Sequence, residues 1–238
     1  MDFATPARMI QFLPSIAPAF RPILVDGPVE LRPIADRDFA QWASLRDNSC
    51  AHLTLWEDCW TKKDVSEQSF RARRLGFERE ARKGRAIAWH IFDQDGQLVG
   101  GVTLTNIRYG AARTGTLGYW IGVDYLRRGY ASAAVRAVNA HVFETLKLNR
   151  IEAACQIENR ASAGVLQKCG FVEEGIGVDY LRINGALRDH KLFAMVERLY
   201  RNAQNASGPH GHGNDNCLQV KKSRNTDPNG CDKITFGE

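Results

Sequence analysis

Leu117-Gly118-Tyr119-Trp120-Ile121-Gly122-Val123-Asp124-Tyr125-Leu126-Arg127-Arg128-Gly129-Tyr130-Ala131-Ser132-Ala133-Ala134 is the stretch on which the reading of this 238-residue chain turns. An apolar strand runs into a basic, glycine-containing turn, and the turn opens directly into a helix. Backbone N–H groups and the positive end of a helix dipole converge there, which makes a seat for a phosphate-bearing ligand. Gly129 lets a ligand approach the backbone closely, and Arg127 or Arg128 adds charge-assisted hydrogen bonds. Two common phosphate motifs are excluded or broken. No G-x-x-x-x-G-K-[ST] occurs, and Gly129-Tyr130-Ala131 lacks the full G-x-G-x-x-G of a dinucleotide site.

Outward from this stretch, hydrophobic periodicity predicts the rest. Val29 to Arg32 alternates as a strand. Ile34 to Arg46 reads as a helix with Asp36 at its N-cap. Thr61-Lys62-Lys63-Asp64 resembles a capping box for a second helix that Gly84 stops. Ala86–Asp93 and Gln97–Ile107 are predicted as a hairpin joined through Asp95-Gly96, and Thr114–Val123 continues the sheet. Gly129–Leu146 is the strongest helix, with Ala131, Ala134, Val135, Val138, Val142 and Leu146 on one side. Arg150–Ile157 alternates as a strand, Asn159 caps a short helix ended by Gly170, and Phe171–Ile183 with Ala186–Val196 form a hairpin closed by Asn184-Gly185. The order predicts a mixed central β-sheet with helices on both faces, an α/β chain of the α+β type rather than a regular βαβ alternation.

Three segments follow. Residues 1–28 read as a proline-punctuated arm, 29–199 as the folded domain, and 200–238 as a disordered polar tail; the last 38 residues hold six Asn and five Gly. A Gly-Pro-His-Gly-His-Gly run in that tail reads as a solvated linker.

Composition sets outer bounds. Hydrophobic residues make up 44% and charged residues 25%, and the net charge is +5. That permits an acidic cofactor or attraction to ribosomes, but does not by itself argue nucleic-acid binding, and no specific DNA partner is expected. No apolar stretch approaches a membrane span, and Pro14, Pro18 and Asp2 argue against a cleaved signal, so a cytoplasmic location is expected. The six cysteines, Cys50, Cys59, Cys155, Cys169, Cys217 and Cys231, form no C-x-x-C pair, and no metal site is expected.

The segment Leu126-Arg127-Arg128-Gly129-Tyr130-Ala131 resembles the acetyl-CoA motif of the GCN5-related N-acetyltransferases, Gln/Arg-x-x-Gly-x-Gly/Ala. It meets the pattern at Gly129 and Ala131 and departs from it at Leu126. From Val29 to about Val196 the chain looks like the ribosomal-protein-alanine N-acetyltransferases, most like the RimJ branch. The residues that carry this are Leu53-Thr54-Leu55-Trp56-Glu57, Leu117 to Gly122, Arg128 to Ala131, Glu158-Asn159-Arg160-Ala161-Ser162, Lys168 to Gly175, Asp179 to Gly185 and Arg188-Asp189-His190. Leu55 and Asp58 stand where many relatives carry prolines.

The resemblance implies a central sheet splayed at the cofactor, and acetyl transfer from acetyl-CoA to the N-terminal amine of a ribosomal protein by direct attack. It implies that backbone N–H groups at Ile121, Gly122 and Val123 face the thioester oxygen; one such donor is typically worth about 3 kcal/mol. Arg127, Arg128, Gly129, Tyr130, Ala131 and Ser132 would hold the pyrophosphate and Asn159 would contact coenzyme A. Ser162 would protonate the leaving thiolate. Trp56 and Tyr119 are expected in the substrate cleft. Glu57 is the first candidate base, with Glu80 or Glu78 second; an α-amine of pKa roughly 7.7–8.0 needs only a weak one. Two alternatives stay open: the same fold acetylating a small amine, and a ribosome-assembly module with little catalysis. A third feature also reads two ways. Arg71, Arg73, Arg74, Arg79, Arg82 and Lys83 crowd one helix, as a solvated face by default or as an RNA contact.

Overall fold

The computed structural model describes residues 20–58 and 60–206. Cys59, Cys217, Cys231, the proline-punctuated stretch before Phe20 and the histidine-containing tail run lie outside the described residues.

Eight strands form one sheet: β1 (Leu24–Asp26), β2 (Val29–Pro33), β3 (Ile87–Phe92), β4 (Leu98–Arg108), β5 (Thr114–Ile121), β6 (Arg150–Gln156), β7 (Val172–Ile183) and β8 (Ala186–Val196). Their spatial order is β1-β2-β3-β4-β5-β6-β8-β7. Only β5 and β6 run parallel, joined by the crossover through α4 (Tyr130–Ala140); the other neighbours are antiparallel. The remaining helices are α1 (Phe39–Asn48), α2 (Cys50–Leu53), α3 (Glu67–Arg82), α5 (Arg160–Lys168) and α6 (Glu197–Ala206).

The sheet separates two cores. On one face Leu117, Ile121, Ile151, Ala153 and Cys155 pack with Ala134, Val135 and Val138 of α4 and with Leu166 of α5. On the other, Phe92, Leu98 and Trp120 meet Trp42 and Leu45 of α1 and Phe70 of α3. The period-2 pattern of each strand makes this division: Trp120 projects opposite to Tyr119 and Ile121. Under the second core Asp38 and His90 are both buried and bonded, Oδ2 to Nδ1 at 2.8 Å.

Several expectations meet the structure closely. The β7–β8 turn has φ of +49° at Asn184 and +76° at Gly185, as a type I′ turn requires. Others shift. The sheet begins at Leu24, inside the stretch assigned to the arm, because β1 pairs with β2 despite its short length. At the other end α6 carries order into the expected tail: Tyr200 is buried, stacks on Phe143 and bonds Glu144. Thr61 and Asp64 do form a capping box, but on a 3-10 turn at Lys62–Val65; Ser66 caps α3 itself. Asp36 opens a 3-10 turn, and α1 proper starts at Phe39. The helix after Gly129 converts to a π turn at His141–Thr145.

Candidate active site

β5 and β6 are paired only from Thr114–Arg150 to Leu117–Ala153. Beyond that, Gly118–Ile121 pairs with β4 alone and Ala154–Gln156 with β8 alone. A wedge therefore opens between two strands whose outer partners stay in register. The Gly122 N–H donates to the Val99 carbonyl at 2.9 Å. By antiparallel alternation the Trp120 and Gly118 amides also face β4, and those of Ile121 and Tyr119 face the wedge.

This revises the implied oxyanion donors. Of Ile121, Gly122 and Val123, the second is committed to Val99. The third donates to Ser49 Oγ at 3.0 Å. Ile121 retains the expected direction, and Tyr119 joins it. Ser49, fully buried between α1 and α2, was not singled out from the sequence; it ties those helices to the end of β5. A side chain at Gly122 would run into Leu45, so glycine lets this junction pack against α1 without moving it.

At the end of the wedge the chain curls through Arg127, φ +59°, and Gly129, φ +83°, into α4. A non-glycine residue in this left-handed region costs of order 1–3 kcal/mol, so Arg127 holds its backbone there against strain. The helix has no side-chain N-cap, and its first return bond is Ala133 N–H to Gly129 O. The amides of Tyr130, Ala131 and Ser132 thus have no intrahelical acceptor. A Cβ on Gly129 would meet nothing within 4 Å, so the turn itself is open on that side. Arg128 is anchored by the Asp124 carbonyl, 2.8 Å away, and lies over the Tyr125 ring; Arg127 is exposed.

Across the wedge Asn159 caps α5, its Oδ1 accepting from Ser162 N–H at 2.9 Å. That uses the oxygen and leaves the amide nitrogen. Ser162 Oγ lies 2.9 Å from the Tyr119 hydroxyl, which is also 3.1 Å from the Ser162 carbonyl. Tyr119 therefore bridges the wedge to α5, on the face away from the groove described below. Tyr119, expected in the substrate cleft, contacts Ser162 here. Burial pushes the phenol well above its ordinary range and keeps it protonated. Burial also raises the Cys155 thiol, which bonds the Ser162 hydroxyl.

On the opposite face a groove of about 880 Å³ runs between α3 and β3–β5, with Trp42, Arg46, Glu57, Phe77 and Trp120 along it. Arg46 is buried, and its guanidinium lies over the rings of Trp60 and Trp120. It grips Glu57 with both terminal nitrogens, at 3.0 and 2.6 Å. The first candidate base is thus a clamped carboxylate rather than a free one. The second pair fares no better. Glu78 is held low by Arg82 and Arg21, and Glu80 by Lys83. Trp56 sits half-buried in the turn after α2 and is not among the groove's lining residues; Trp42 and Trp120 are.

The loop holding Glu57 is fastened on two sides. Gln156 Nε2 donates to the Leu55 carbonyl. At the β7–β8 tip, Asn184 N–H donates to the Glu57 carbonyl and Gly185 N–H to Asp58 Oδ1. His190 packs in the sheet, its Nδ1 2.8 Å from the Arg188 carbonyl. Among the described residues no group of His, Cys, Asp and Glu is arranged to hold a metal ion, and no helix is long and apolar enough to cross a membrane.

A strand pair that parts beside an uncapped helix N-terminus is a frame for a long phosphate-bearing thioester. Residues 29–172 match the family model described as Acetyltransferase (GNAT) domain. The chain belongs to the GNAT acetyltransferase family. It is 30% identical over 168 residues to the [ribosomal protein uS5]-alanine N-acetyltransferase of Escherichia coli, covering 70% of this chain and 86% of that one. It is similar to the structure of Mycobacterium smegmatis RimJ in complex with CoA-disulfide, with TM-score 0.73 and 33% identity over 79% of this chain and 97% of that one. It also resembles the spermidine N(1)-acetyltransferase of Vibrio cholerae, at 29% identity over 112 residues, 47% of this chain and 64% of that one. Acetyl-CoA is the co-substrate of the GNAT domain, and the open amides at Tyr130–Ser132 and the uncovered edge at Gly118–Ile121 fit it.

Proposed function

We propose that the chain acetylates the N-terminal α-amine of an alanine-starting small-subunit ribosomal protein, in the cytoplasm. The observation that carries the reading is the parting of β5 from β6 with Ser162 and Tyr119 bonded across it. Gly129 to Ser132, with Arg127 and Arg128, hold the pyrophosphate, and the Asn159 amide nitrogen meets the coenzyme. The Ile121 amide faces the thioester oxygen as charge develops on it. The one Tyr119 hydrogen is shared between the Ser162 carbonyl and Oγ, and when it turns to Oγ the serine can pass its own hydrogen to the departing thiolate. An α-amine is partly neutral at physiological pH, so the reaction needs no strong base. Water at the groove end takes the proton, and Glu57 with Arg46 shapes that end.

The acceptor class is supported by the ribosomal-protein-alanine relative and by the long groove leading to Trp120. A polyamine acceptor is opposed by the cations of that groove. Assay of alanine-starting peptides beside spermidine separates the two. Acetyl appearing on the peptide α-amine supports the reading, and turnover of spermidine alone overturns it.

A further inference from the structure

The groove between α3 and β3–β5 is short of negative charge. Six arginines line it, Arg46, Arg73, Arg74, Arg79, Arg85 and Arg108, against Glu57 and Glu80. Arg46 is neutralised by Glu57, and Arg74 by Asp36 and Glu78. Glu80 is taken by Lys83. Arg73, Arg79, Arg85 and Arg108 make no salt bridge within 4 Å among the described residues, although Glu80 lies in the field of Arg79 and Arg85, and Glu57 and Asp64 in that of Arg73. Arg73 stands near Arg46 and, like Arg79, Arg85 and Arg108, is exposed along the groove.

This imbalance is local. The outward face of α3 is laced with its own pairs, Arg71 with Glu67, Arg82 with Glu78 and Lys83 with Glu80. Of the six cations that crowd this helix, only Arg73 and Arg79 stay unmatched, and both line the groove. These two and Arg85 and Arg108 are exposed along one groove, so an anionic ligand lying in it meets four cations together.

The groove's lining is long enough for an extended chain. Its floor follows β4 from Gly101 to Arg108, about 23 Å at the rise of a strand. Ile107 N–H donates to the Arg85 carbonyl, which sets Arg85 beside Arg108 at the far end. Trp120 marks the near end, on the strand that opens at the wedge.

We propose that this groove receives the acceptor as an extended peptide, its amine at the Trp120 end. Acidic side chains some five to eight residues downstream are then held by Arg79, Arg85 and Arg108. The proposal rests on the peptide-acceptor reading above and adds the chemistry by which the acceptor is selected. Several partly exposed charge pairs acting together are expected to give about a tenfold preference, carried by KM and weakened by salt.

The test uses the full chain and three alanine-starting decapeptides that carry Glu, Gln or Lys at the downstream positions. The expected kcat/KM order is Glu above Gln above Lys, and the Glu-to-Gln ratio collapses in an Arg79→Ser, Arg108→Ser double variant. Acetyl-CoA affinity and the melting temperature report that the variant is folded. Equal use of Glu and Gln peptides by the wild type overturns the groove proposal while leaving the peptide acceptor in place. Equal use together with salt-dependent capture of a short single-stranded RNA assigns the arginines to nucleic acid instead. Turnover of spermidine with no peptide product removes both this proposal and the reading beneath it.

Discussion

Replacing Gly129 by valine separates two roles that one backbone position plays. Gly129 has φ +83°, where a side chain costs about 1–2 kcal/mol. For a chain of this size that is a fall in Tm of about 2–8 °C. Beyond its chain neighbours nothing lies within 4 Å of the Cβ position, so the substitution makes no clash with the rest of the fold. The added side chain instead enters the open space beside the turn, where the pyrophosphate is proposed to lie. Loss of one hydrogen bond to a charged phosphate oxygen costs about 1.5–3 kcal/mol. The dissociation constant for coenzyme A should therefore rise roughly 10- to 150-fold. Gly96→Val is the matched control: φ there is +76°, its Cβ position is equally open, and it lies in the β3–β4 turn. Calorimetric titration of both variants with coenzyme A, beside thermal melts, reads the two effects. Similar Tm losses with weakened binding only at Gly129 fit the reasoning. Equal coenzyme affinity in the two variants would refute the placement of the pyrophosphate.

Four further outcomes are expected. Ser162→Ala should lower kcat about 100-fold with unchanged acetyl-CoA affinity, since its amide stays capped by Asn159; a wild-type kcat removes the proton-donor role. Tyr119→Phe should lower kcat without moving the pH–rate profile, because burial holds the phenol protonated through the working range; a basic limb that vanishes in the variant contradicts this. The same shift makes the wild type lose stability as pH rises past about 10, where the unfolded phenol ionises first, a loss smaller in Tyr119→Phe by chemical denaturation. Glu57→Gln should lower stability, because it weakens the clamp on buried Arg46, yet keep kcat within about tenfold; a loss of 100-fold or more restores Glu57 as the base.

What the sequence disclosed and what it concealed divide along contact range. Asn184-Gly185, Gly129 and the Asn159–Ser162 cap are local arrangements, and each residue type states its own backbone need. The strand and helix periods of β5, β6 and α4 are similarly local. The Arg46–Glu57 clamp joins residues eleven positions apart through the path of a loop, so no period or spacing announced it. Ser49 looks like any helix-end serine until β5 is laid beside it. Alternation alone did not announce the contact of Tyr119 with Ser162, because the wedge decides what lies opposite it. β1 escaped notice because its three residues lie between Pro22 and Pro28 and gain their order only from β2. α6 ends a polar stretch, and only its packing of Tyr200 on Phe143 marks where order continues.

The central claim is that this wedge delivers acetyl to the N-terminal amine of a ribosomal protein. Intact-mass analysis of ribosomal proteins from cells with and without the gene tests it most directly. The account predicts one alanine-starting small-subunit protein lighter by a single acetyl group in the deletion, restored by the wild-type chain and not by Ser162→Ala. Identical ribosomal-protein masses in the two strains would contradict it.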